Sequence, residues 1–98
     1  EGTSPSVAAA NRAFTFHIGG FKGADKTQRQ VEISLTASPL SVNKSNARIK
    51  LVADVGSVFS SPHSVALKDF YYQMQPGPGA KILADNYHDM FSLESVTN

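Results

Sequence analysis

Ninety-eight residues with nine Lys+Arg against eight Asp+Glu make one small domain at most, with no basic stripe to draw nucleic acid or an anionic membrane surface. Cysteine is absent, which removes disulfides, thiolate metal sites and cysteine nucleophiles. No apolar run approaches the ~18 residues that a bilayer-spanning helix requires. A chain of this size buries roughly 60–70% of its surface on folding, so its core is thin. It opens on Glu1 rather than Met, which reads as a processed chain or a piece of a longer one, with no signal peptide remaining.

Residues 1–12 are small and polar, with Pro5 and three consecutive alanines but no apolar periodicity, and read as a linker or loop. From Ala13 the pattern changes. Phe14, Phe16 and Ile18 alternate with Ala13, Thr15 and His17, a period of two that predicts a half-buried strand with His17 on the wet face. Gly19-Gly20 ends or bulges that strand, because glycine reaches positive φ without a Cβ penalty. Val31, Ile33, Leu35 and Ala37 alternate with Gln30, Glu32, Ser34 and Thr36 and predict a second strand, stopped by Pro39. In the loop that follows, Asn43-Lys44-Ser45 is a formal glycosylation acceptor.

A third strand is expected over 47–55, with Ala47, Ile49, Leu51, Ala53 and Val55 inward and Arg48, Lys50 and Asp54 outward. Gly56 to Pro62 is a turn anchored by Val58-Phe59, and Ser64 to Leu67 is a short strand candidate. In Phe70-Tyr71-Tyr72, two rings are expected in the core and one outside, where it can stack on a sugar. Pro76-Gly77-Pro78-Gly79 breaks the chain and sets Pro78 at the first position of a helix over 79–88, where its missing N–H costs nothing. Asp85-Asn86 read as capping and turn residues, and Phe91 to Val96 as the last strand. The fold class is all-β: an antiparallel β-sandwich, an incomplete half of one, with one short helix. So few strands leave exposed edges, which implies more chain beside them.

Three stretches carry a resemblance. Phe14-Thr15-Phe16-His17-Ile18-Gly19-Gly20-Phe21 with Val31 to Leu35 looks like F-x-x-H-[IL]-G-G-[YF] and its hairpin. Ile49 to Phe59 is similar to a strand reading x-D-V-x-x-[LV]-F. Ile82-Leu83-Ala84-Asp85-Asn86-Tyr87-His88-Asp89-Met90-Phe91 looks like I-x-A-N/D-N-[YF]-x-x-M-F. In this order they resemble the C-terminal half of the methanobactin-associated, MbnP-type copper proteins, and Glu1-Gly2 resembles the end of the preceding family strand. The resemblance implies a bacterial location, periplasmic or at the cell surface. It also implies a dihaem partner enzyme that oxidises a tryptophan of the upstream half to kynurenine; this chain has no tryptophan.

Copper(I) is suited by imidazole nitrogen and thioether sulfur. The donors present are His17, His63, His88, Met74 and Met90. His17 sits at the family's histidine position and is the first candidate ligand, with His88 and Met74 as further candidates. Met90 reads as core, His63 as an exposed turn residue. Asp85 and Asn86 lack the acidic loop spacing of a calcium site. No G-x-S-x-G elbow, informative carboxylate pair or phosphate-cradling loop is present, so the chain reads as non-catalytic.

Two functions follow as expectations. One is an exported copper-binding protein acting in copper capture or delivery, completed by its missing N-terminal half or by a complementing chain. The alternative is a structural or adhesive β-sandwich module of a surface or filament protein, assembling with copies of itself by strand addition.

Overall fold

A computed structural model describes residues 1–41 and 46–98, so the Asn43-Lys44-Ser45 acceptor lies outside the described residues. The elements in order are β1 (Gly2–Thr3), β2 (Ala13–Phe16), β3 (Arg48–Ala53), a 3₁₀ helix (Val55–Phe59), β4 (Tyr72–Gln73), α1 (Pro78–Asp89) and β5 (Phe91–Thr97). They form a small β-rich fold with two sheets and one α-helix. One sheet has the order β1-β2-β4 and the other is the two-stranded ribbon β3-β5.

Strand β2 forms where the alternation places it, and it is the centre of its sheet. It pairs antiparallel with β1, Gly2 opposite Phe14, and parallel with β4, Thr15 opposite Tyr72 and Phe16 opposite Gln73. The Phe14 ring lies across Gly2, where a Cβ would stand only 2.7 Å from it, so glycine is what lets the strands close. On the inner face of β2, Phe14 meets Phe59 edge-on at 6.0 Å and Phe16 stacks on Phe70 at 5.5 Å. Such pairs contribute about 0.5–1.5 kcal/mol each beyond burial and tie β2 to the 3₁₀ helix and to the approach to β4. Gly20 has φ +125, as the double glycine predicts.

Helix α1 starts with Pro78 at its first position and buries Ala80, Leu83, Ala84 and Asn86. It packs on the 3₁₀ helix, and with Val7, Val58 and Val65 these residues are the core. Asp54 caps the 3₁₀ helix, its carboxylate accepting from the Gly56 N–H.

Several expectations are corrected. Residues 1–12 are not only a linker: β1 joins the sheet, and Val7 is 2% exposed. The 31–37 strand is absent; its residues run without a ladder partner and turn at Thr36. Alternation fixes a face, but a strand also needs a partner backbone at 4.7–4.9 Å. Ser64 to Leu67 is likewise not a strand, although Val65 is buried. The third strand ends at Ala53, and Val55 is in the 3₁₀ helix and exposed. The sheets are not purely antiparallel, since β2 and β4 run parallel. In the aromatic run one ring goes in, Phe70; Tyr72 is exposed on the outer side of β4, and Tyr71, just before the strand, is exposed too. Asp85 and Asn86 are inside α1 rather than caps.

The radius of gyration is 17.3 Å, against about 13 Å for a compact chain of 100 residues.

Candidate functional site

His17 and Met74 end neighbouring strands. The His17 N–H donates to the Gln73 carbonyl at 2.7 Å, continuing the parallel β2–β4 ladder one step past Phe16 and Gln73. The register therefore sets His17 beside Met74, on the face shared by Thr15 and Tyr72 and opposite the phenylalanine cluster. The His17 ring is exposed, and its Nε2 lies 3.6 Å from the Glu1 carboxylate. Met74 is half-buried. The His17 imidazole and the Glu1 carboxylate thus meet at one sheet end, next to the Met74 position at the end of β4, brought there by β1, β2 and β4 pairing rather than by sequence proximity.

His88 stands on a different element, in the last turn of α1, where a histidine cation complements the helix dipole. Its Nδ1 is 2.6 Å from the Asp89 carboxylate, which leaves Nε2 as its free nitrogen. The ring lines an open cavity of about 360 Å³, with Ile18, Arg29, Val31, Tyr87 and Phe91 among the other lining residues. No hydrogen bond or ion pair joins His88 to His17 or Met74 among the described residues. Met90 caps the end of α1 and is half-buried. Among the described residues, no three His, Cys, Asp or Glu side chains come together as a metal cluster.

A second polar network has no counterpart in the sequence reading. Asp85, on α1, takes two N–H bonds from Arg29 on Oδ1, at 2.9 and 2.8 Å, and receives His63 Nε2 on Oδ2 at 2.8 Å. The His63 bond, then Arg29, holds the Asp85 carboxyl below its ordinary value of 3.8; partial burial opposes them and loses. Next to it, Asn86 is fully buried and fully bonded. Its Oδ1 accepts from the His63 N–H, and its Nδ2 donates to the carbonyls of Val58 and His63, each at 2.7 Å. His63 is therefore an oriented side chain rather than a bystander in a turn. The sequence signal was a polar residue, Asn86, on the helix face it shares with Ile82 and Met90. Nothing in the 22-residue separation of His63 and Asp85 announces their pairing.

Chemically, the β2–β4 end is suited to a soft monovalent metal. The His63–Asp85–Arg29 network is suited to pinning two segments, those of Arg29 and His63, to α1. The Ser64 hydroxyl makes no hydrogen bond to His63 among the described residues. No helix among the described residues is long and apolar enough to cross a membrane. No protein-family model, curated protein or solved structure matches this chain.

Proposed function

We propose that this chain is a non-catalytic copper-binding domain of the kind it resembles, the MbnP-type proteins, acting in copper capture or delivery in the bacterial periplasm or at the cell surface. The observation that carries the reading is the register that sets His17 beside Met74. One imidazole nitrogen and one thioether sulfur suit Cu(I), which accepts soft and borderline donors at low coordination number. Copper bound there is a cargo ion held at an exposed sheet end, open to transfer. His88 serves only through Nε2, the nitrogen that Asp89 leaves free, in the manner of carboxylate-oriented metal histidines. In this reading further strands complete a sandwich over the exposed apolar face, and a dihaem enzyme is the redox partner.

Titration with Cu(I) against a chromophoric chelator tests the assignment. One copper per chain is expected, with affinity falling at least about tenfold in His17→Ala and less in Met74→Leu, which preserves volume. Equal affinity in all three proteins overturns it.

A second reading, a structural module completed by a neighbouring chain, is favoured by one observation. The face of the ribbon that carries Ile49, Leu51 and Phe91 leaves these residues 44%, 50% and 39% exposed.

A further inference from the structure

We infer that the unpaired segment 28–35 is a docking strand for a second copy of this chain, pairing antiparallel about Ile33. The inference rests on the structural-module reading and is independent of copper.

The segment has the chemistry of a strand without the ladder of one. It runs without turn or bend from Gln28 to Leu35. Among the described residues, the N–H groups of Gln30 to Leu35 make no hydrogen bond to backbone or side chain. One side is tied down: Arg29 is bonded to Asp85, Val31 lines the cavity, and Ile33 and Leu35 are half-buried. The other side carries Gln30, Glu32 and Ser34 to solvent. Such a row of free donors and acceptors is a template for strand addition.

The edge of β3, by contrast, is guarded. Strand β3 carries Arg48 and Lys50, and the β3–β5 register shifts between Lys50 and Leu51. Charge and irregular pairing are the usual devices that keep an edge from pairing. Residues 30–35 carry no lysine, no proline and no bulge.

Self-pairing about Ile33 is compatible with the side chains and keeps all of residues 31–35 paired before the chain turns at Thr36. Centring the two-fold axis on Ile33 sets Ile33 opposite Ile33, Val31 opposite Leu35 and Glu32 opposite Ser34, so apolar residues share one face and no like charges meet. Shifting the axis to Glu32 sets two carboxylates opposite each other. Moving it to Val31 sets Arg29 against Ile33. An isologous two-fold contact of this kind closes on itself and gives a dimer rather than a fibre.

The test uses the absence of native cysteine. With chelator present, so that copper plays no part, the mass by light scattering is expected to rise from 10.5 kDa toward twice that as concentration approaches about 0.5 mM, as befits a small interface. Register is read by disulfide capture. A mixture of Glu32→Cys and Ser34→Cys chains, both exposed positions, is expected to cross-link between unlike chains. Each variant alone is expected to form no cross-link, because its own two sulfurs are offset by two residues. Ile33→Cys is expected to link to itself. A mass of 10.5 kDa at every concentration overturns the inference. So does cross-linking of Ser34→Cys alone as readily as the mixture.

Discussion

Helix α1 and the β3–β5 ribbon meet at Met90, yet they are held by different forces. The helix buries Leu83 and Asn86 completely, and every polar group of Asn86 is bonded. The ribbon has six register pairs, but both of its strands are largely exposed. A two-stranded ribbon is marginal in water, and three strands or a packed face are needed for independent stability. Regular secondary structure therefore says little about which region resists unfolding. The ribbon has the longer strands, and the helix has the burial.

The same truncation at the two places separates them most. Leu83→Ala removes a side chain with no exposed surface and leaves a cavity, an expected loss of about 3 kcal/mol or more. Leu51→Ala, at 50% exposed, removes atoms already half in water and costs under about 1 kcal/mol. Urea unfolding of both variants checks the comparison. Comparable losses would mean that the ribbon is covered in solution and that the contrast is wrong.

Polar burial sharpens the comparison at a smaller scale. Asn86→Leu keeps volume but strands the His63 N–H and the Val58 and His63 carbonyls inside the protein. An expected cost of about 2–3 kcal/mol follows, because unmade buried bonds cost their desolvation. Hydrogen exchange should locate the loss at Val58 to Val65 and α1, while ribbon amides exchange as in the wild type.

What was legible in the sequence follows the same division. The β2 alternation, Pro78 at the start of α1, the existence of β3 and the span of β5 follow from local periodicity and chain punctuation. His17 at a strand end with glycines after it was legible too, including the positive φ of Gly20. The failures are non-local. Residues 31–37 alternate as well as β2 does, but nothing in a pattern reports whether a second backbone lies alongside. Strands β1 and β4 have two residues each, too few for a period, and the parallel register that sets Met74 beside His17 exists only in three dimensions. Asp54 before Val55-Gly56 was an unused signal of a helix start, since an aspartate there can accept from the first N–H groups.

The smallest expected effect concerns acid. Asp85 holds Arg29 and His63 against α1, and those partners keep its carboxyl below 3.8. A carboxyl whose pKa is depressed in the folded state contributes stability that is complete above its unfolded value and is lost as pH falls through the folded one. Asp85→Asn removes that contribution. Because the side chain of Asp85 is 36% exposed, solvent screens the pair, and the variant should lose only about 0.5–1 kcal/mol at neutral pH. The difference between wild type and variant is then expected to narrow once pH drops below 3.8, where the unfolded chain's carboxyl takes its proton before the folded one does. Urea midpoints of the two proteins at pH 7 and pH 3 measure it. A gap that stays constant between the two would mean that Asp85 acts by shape alone and that its charge contributes nothing to holding the helix.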